Sequence, residues 1–287
     1  VSKPNPYSLV NHLSNLGYET DALHPYYARC WNRDKIYSLM GFNDFISLDN
    51  FDKYYPQSKW DYVRCYLSDR TSYNAAISRF ENKRGSAPMF LFNITMQNHG
   101  GYNYYLGGWE NIVHITNMKG DYPQAEQYLS LVRESDKAFK ELIEYFKEFD
   151  EPTIILLFGD HDPAVEPAFY EELMGGSLSS FNSEQMLARY KVPFVLWANF
   201  DIAARDNVEI SMNYLQNLLL ETAGLPKNGF GTFLDEVKQR YPLMNASGYY
   251  DNTGVWHQSD EPDDELLSKY RRLNYYILTD KKKNKTK

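Results

Sequence analysis

Two side chains that could share a divalent cation stand together in the string FGDHDP, residues 158–163. They are Asp160 and His161, directly after the apolar run TIILL. An imidazole nitrogen beside a carboxylate oxygen suits Zn²⁺ or Mn²⁺, and a turn at a strand end lets both heads converge. A histidine next to a turn-capping aspartate would read the same way, so the pair gains weight from its company. His24 closes YETDALHP, and His99 sits in NITMQNHGGY ahead of two glycines, which let backbone approach a ligand closely. The stretch HPYYARCWNRDKIY adds Trp31 and Arg33. A guanidinium fork matches a tetrahedral oxyanion, while an indole packs on the apolar or sugar part of a substrate. The bland alternative for these two is a surface arginine paired with Asp34 beside a core tryptophan.

These residues need a frame that brings them together. PNPYSLVNHLSNLG spaces Leu9, Leu13 and Leu16 as a short helix with Gly17 as its stop. YETDALHP alternates as a strand ending at His24, and PMFLFNITM (Pro88–Met96) is apolar almost throughout, as strands covered on both faces are. QAEQYLSLVRESDKAFKELIEYFKEF places Leu129, Val132, Phe139, Leu142, Ile143 and Phe146 on one face of an amphipathic helix. PTIILLF and VPFVLWAN (Val192–Asn199) are two further strands, and NYLQNLLLETAG is a helix closed by Gly224. Strands alternating with amphipathic helices predict an α/β fold, a mostly parallel sheet flanked by helices. Ligands in such sheets bind outside the carboxyl ends of the strands, where His24, His99 and His161 all fall. From about Tyr241 the pattern turns to short turns, an acidic run and a closing helix. This predicts two parts, residues 1–240 and a small peripheral C-terminal subdomain at 241–287.

Length and charge narrow the function. A chain of 287 residues can bury a substantial core, and 38 acidic against 30 basic residues give a net charge of −8. That balance argues against nucleic acid as a partner. The basic run DKKKNKTK (Asp280–Lys287) reads as a solvated tail, and the acidic run Asp260–Glu265 as a helix start, since it lacks the spacing of a calcium loop. Cys30 and Cys65 are too few for a disulfide framework, and no stretch approaches the roughly 20 apolar residues of a membrane span. The chain opens on Val1, as a piece of a longer protein would.

ALHPYYARCWNRDKIYSLMGFNDF, then NITMQNHGGY, then SDKAFKELIEYFKEFDEPTIILLFGDHDP, then YKVPFVLWAN together resemble the lipoteichoic acid synthase-like branch of the sulfatase and alkaline phosphatase superfamily. The resemblance runs to about Tyr276. It implies an alkaline phosphatase/sulfatase-like fold and a metal-dependent enzyme at the outer face of a bacterial cell membrane, acting on a lipid-linked or glycan phosphate or sulfate ester. It also implies that Asp160 and His161 are metal ligands and that His24, Trp31, Arg33 and His99 line the substrate site. Mn²⁺ is the first expectation for the metal, with Zn²⁺, Mg²⁺ or Ca²⁺ as alternatives. The family's threonine nucleophile and a carboxylate ligand would lie upstream of ALHPYY, together with the membrane anchor. The expected chain is then a C-terminal fragment with an incomplete metal site, without the catalytic nucleophile and inactive alone. NHGGY departs from the synthases proper, so substrate identity does not carry over. Two other functions stay open: a glycan sulfatase, and a non-catalytic module that binds cell-surface glycan or teichoic polymer. Oligomeric state is not legible.

Overall fold

A computed structural model describes residues 5, 7–83, 85–103 and 109–279, so the basic run at 280–287 lies outside the described residues. In chain order the elements begin α1 (Leu9–Asn15), β1 (Glu19–His24), α2 (Arg33–Met40) and β2 (Asp44–Ser47). Next come β3 (Tyr62–Val63), β4 (Tyr66–Leu67), α3 (Asp69–Glu81), β5 (Met89–Asn93), α4 (Pro123–Lys147) and β6 (Ile154–Phe158). They continue with α5 (Pro167–Met174), α6 (Ser183–Ala188), β7 (Phe194–Ala198), α7 (Leu215–Thr222) and α8 (Gly229–Arg240), and close with β8 (Leu243–Met244), β9 (Gly248–Tyr250), β10 (Trp256–Gln258) and α9 (Glu265–Thr279). Local chemistry sets several of the ends. The Ser8 and Ser68 side chains accept from the main chain of Asn11 and Thr71, capping α1 and α3, and Pro123 opens α4 where its missing N–H costs nothing. Gly17 takes φ +90° just past α1, a conformation that favours glycine.

The chain forms two compact units. One gathers the described residues up to Thr20, Asp34–Asn43 and the described residues from Phe200 onward; the other comprises Asp21–Arg33 and Asp44–Asn199. In the first, Tyr214, Leu234 and Val237 share a core with Tyr241, Tyr249 and Leu267, so residues on both sides of the expected line at 240/241 pack together. The boundaries between the two units fall at Thr20/Asp21, Arg33/Asp34, Asn43/Asp44 and Asn199/Phe200. The acidic run is a helix start: Asp264 accepts from the main chain of Leu267 and pairs with Arg240 at 2.7 Å, and Glu261 holds His257 at 2.9 Å.

The second unit carries the sheet that matters for chemistry. Its strand order is β2-β1-β5, with β1 and β2 parallel in register from Asp21↔Asp44 to His24↔Ser47. Thr20 to His24 are all buried despite the alternating letters, because β1 is central and both faces are covered. Leu23 and Ile46 pack with Phe51, Leu67 and Ala75, which joins the sheet to α3. On α4 the buried residues include Ala125, Ser130, Leu131, Ala138, Leu142 and Phe146, while Val132 is exposed. The amphipathic helix is present, but small residues let it lie close to its neighbours, and the buried stripe is rotated from the one that large apolar residues alone suggest.

The α/β class with a parallel sheet and flanking helices stands, with one difference in strand direction. β6 pairs antiparallel with β7, from Ile154↔Ala198 to Phe158↔Phe194. A run such as TIILLF reports a strand but not its direction, and the chain between β6 and β7, which includes α5 and α6, leaves either sense open. Ile155 and Trp197 rest on the α3/α4 cluster of Tyr73, Ala138, Leu142 and Phe146, whereas their neighbours Leu157 and Val195 are exposed.

Candidate functional site

β1 delivers His24 to the carboxyl end of the sheet, where its side chain is fully buried. Nδ1 lies 2.8 Å from the Ile94 carbonyl, which can only accept, so the proton sits on Nδ1. Nε2 therefore offers its lone pair to Arg33, whose Nη1 lies 3.0 Å away. Burial pulls the His24 pKa down to about 4, with the charges of Arg33 and His99 acting the same way against the bond to Ile94. The ring is thus a neutral acceptor at physiological pH. An NMR titration of its imidazole carbons is expected to show a midpoint near 4. The linked stability is fully present above the ordinary histidine value of about 6.5 and declines as pH falls from there toward 4. A midpoint at or above 6 would contradict the bonding pattern.

Between His24 and Arg33 the chain makes a tight turn in which Trp31 and Asn32 both take φ +55°, a left-handed conformation that costs a non-glycine residue about 1–3 kcal/mol. The turn leaves Trp31 50% exposed and starts α2 at Arg33. The guanidinium lies 4.3 Å from the centre of the indole ring. Arg33 thus contacts both His24 and Trp31, and the Asp34 carboxylate accepts from the main chain of Lys35.

His99 completes the group. Centroid separations close a circuit of four rings: Tyr26 to Trp31 at 6.3 Å, Trp31 to His99 at 5.6 Å, His99 to Tyr66 at 5.9 Å, and Tyr66 to Tyr26 at 5.8 Å. His24 meets Trp31 edge-on at 5.9 Å. His24, Trp31, Arg33 and His99, expected from separate stretches of sequence, are therefore one cluster. It holds a cationic fork, a neutral imidazole and an aromatic wall, which suits a tetrahedral anion carrying an apolar or polyol group.

Asp160 and His161 follow β6 and are 79% and 75% exposed at their side chains. His161 Nδ1 lies 2.7 Å from the Asp162 carbonyl and so carries the proton, leaving the Nε2 lone pair 3.8 Å from Asp160 Oδ1. A nitrogen and an oxygen donor held side by side, the imidazole oriented through its other nitrogen, fit two positions of a divalent-cation shell. Among the described residues no group of three or more His, Cys, Asp or Glu could hold a metal ion. The Asp160 charge is felt by Tyr102, just past His99, whose pKa burial, first, and then neighbouring charges raise to about 12.

The sequence reading missed the supports. Tyr26 and Tyr66 are two of many tyrosines, and nothing in YVRCYL marks Arg64, which is buried beneath the His99 loop. Asp69, buried at the start of α3, has its pKa raised to about 6 by burial against hydrogen bonds from Ser135, Thr95 and Gln97. Such polar residues are recognisable only once the loop above them has a shape.

Comparison with known proteins agrees with the geometry. The Sulfatase family model matches residues 2–225. A Rhizobium meliloti (strain 1021) protein named for cyclic beta-1,2-glucan modification is 28% identical over 85% of this chain and 38% of its own length. Lipoteichoic acid synthase 1 of Bacillus subtilis (strain 168) is 24% identical over 63% of this chain and 27% of its own. The chain therefore spans well under half of these curated relatives. Among solved structures, the Streptococcus pyogenes phosphoglycerol transferase GacH in complex with sn-glycerol-1-phosphate superposes with a TM-score of 0.62 at 21% identity, covering 91% of this chain and 61% of that one. That likeness shows the fold. The chain belongs to the sulfatase family, on the branch that resembles the lipoteichoic acid synthases.

Proposed function

We propose that this chain is the C-terminal part of the catalytic domain of a cell-envelope enzyme that transfers or cleaves a phosphate ester, in the manner of a phosphoglycerol transferase. The observation that carries the reading is the His24–Arg33–Trp31 arrangement: a guanidinium positioned by a neutral imidazole and stacked on an indole, beside His99. The fork would bind the non-bridging oxygens of the transferred group, and the aromatic wall would take its carbon-bearing part. Asp160 and His161 would supply two ligands to a divalent cation, Mn²⁺ first, which when bound lowers the pKa of a nucleophile and polarises the ester. The remaining ligands and the nucleophile are assigned to upstream sequence, which leaves this chain without turnover of its own. The relatives' names, one for glucan modification and one for lipoteichoic acid synthesis, favour a glycan or lipid-linked polymer as the other substrate and the cell envelope as the site of action. Among the described residues no helix is long and apolar enough to cross a membrane.

Imidazole NMR of this chain tests the reading. Titration with sn-glycerol-1-phosphate is expected to shift the His24 and His99 signals, and Arg33→Ala to abolish the response. A response to a sulfated monosaccharide and none to the phosphate would select the glycan sulfatase instead. Binding of teichoic or glucan polymer with no response to either small ester would select the non-catalytic module. Isothermal titration with Mn²⁺ is expected to show no tight site, because two ligands fall short of the usual four or more. A sub-micromolar site lost in His161→Ala would show a complete shell within this chain.

A further inference from the structure

The Gln97–Gly101 loop that carries His99 has little main-chain bonding of its own: the His99 N–H donates to the Met96 carbonyl at 3.0 Å. Its carbonyls end on side chains instead. Arg64 Nη2 donates to the Gln97 and His99 carbonyls at 3.1 and 2.9 Å, and Arg64 Nη1 to the Gly101 carbonyl at 3.3 Å. The Tyr102 hydroxyl donates to the Asn98 carbonyl at 2.8 Å. Arg64 Nη1 also donates to Oε1 of the buried Gln127 on α4, at 3.1 Å, which fixes the fork from behind. On its other side the loop is tied by side chains, with Gln97 and Asn98 donating to Ser135 Oγ and Ser135 donating to Asp69 at 2.6 Å.

Arg64 is an unusual residue to find there. It sits in the β3–β4 hairpin turn at φ +57°, a left-handed position that a β-carbon disfavours, and it is buried. Among the described residues no carboxylate pairs with it, and its Nε has no hydrogen-bond partner. A buried guanidinium held by neutral carbonyls and by the Tyr66 and Tyr102 rings, 5.9 and 5.6 Å from its carbon, with no carboxylate, is costly. Two residues on, the same hairpin sends the Tyr66 ring against the His99 ring. One short hairpin thus grips His99 twice, by its own carbonyl and by its ring.

We propose that Arg64 is the positioning residue for His99: it sets the shape of the Gln97–Gly101 loop through three main-chain carbonyls and so fixes the imidazole against Trp31 and Tyr66. It touches no reacting group itself. The inference rests on the reading of His99 as part of the anion site, and it deepens that reading by naming what builds that side of it. Geometry rather than charge is the active property, since only a planar fork spans carbonyls 97, 99 and 101 together.

The test uses this chain and four variants: Arg64→Lys, His99→Ala, the double variant, and Arg33→Ala. Amide exchange at residues 98–102 is expected to accelerate at least about tenfold in Arg64→Lys, as a locally released loop does, with His99 imidazole shifts moving toward those of a solvated ring. The Kd for sn-glycerol-1-phosphate is expected to weaken about tenfold in Arg64→Lys yet change less than about twofold when the same substitution is made on His99→Ala, the signature of residues acting through one another. Equal weakening in both backgrounds would make Arg64 a general structural residue and overturn the proposal, as would unchanged exchange and affinity. If Arg64→Lys fails to fold, Gln127→Glu, which offers the fork a competing carboxylate and keeps its charge buried, is read in the same way. Arg33→Ala separates the two readings. No ligand response in wild type, or a response that Arg33→Ala leaves intact, would remove the anion-site reading, while the exchange and imidazole shifts would still decide whether Arg64 orders His99.

Discussion

Arg33→Ala in the full-length enzyme is expected to lower phosphodiester turnover by about 10²-fold, the scale of losing one donor to a developing oxyanion. The melting temperature is expected to stay nearly unchanged. Arg33 reaches His24 Nε2 and lies over the Trp31 ring, so its removal uncovers a half-exposed indole and opens no cavity in the core. Arg33→Lys keeps the charge but cannot both meet His24 and present a fork, so it too is expected to impair turnover. Parallel measurement of kcat, KM and thermal unfolding for the three proteins is the check. Full activity in Arg33→Ala would remove this residue from the site, and a collapse in stability would make it structural.

The largest effect on folding is expected one layer below. Asp21 is fully buried on β1, directly opposite Asp44 on β2, and Arg79 from α3 meets it at 2.7 Å with only 5% of its own side chain exposed. Tyr54 donates to Asp44 at 2.5 Å, so each of the two facing carboxylates has a partner. Replacing Arg79 with alanine leaves a buried carboxylate beside another, and breaking such a pair costs about 3–5 kcal/mol. Urea unfolding of wild type and Arg79→Ala measures it, and adding Asp21→Asn to Arg79→Ala is expected to recover part of the loss. A cost below about 1 kcal/mol would mean that the pair is solvated or replaced at little expense.

Strand ends were the most readable part of the sequence. The apolar runs located β1, β5, β6 and β7 to within a few residues, and His24 and His99 stand where the sheet predicts, because a strand's end is marked by the change from apolar to polar letters. Strand direction was hidden, since β6 reads the same whether β7 runs with it or against it. The face of α4 was misjudged where Ala138 and Ser130 are buried and Val132 is not, since size at an interface is set by how closely the partner approaches. Arg64 and Asp69 left no trace because their partners are main-chain groups and loop side chains, and their spacing along the chain carries no period. Units assembled from separate stretches, such as Asp21–Arg33 with Asp44–Asn199, leave no local mark in the sequence, and near Tyr241 turns become dense while the core of Tyr214, Val237 and Tyr249 continues across.

The β6–β7 ladder also governs how the chain behaves in a test tube. Leu157 and Val195 face each other across the ladder with 36% and 45% of their surfaces in water, and among the described residues β6 hydrogen-bonds to no strand but β7. An apolar strand with one free edge is a template for adding another strand, and natural proteins usually shield such edges with lysine, proline or a covering element. TIILLF offers none of these within the strand itself. Concentrating this chain by itself therefore favours edge-to-edge association and precipitation, so binding experiments on it belong at low protein concentration with light scattering recorded alongside.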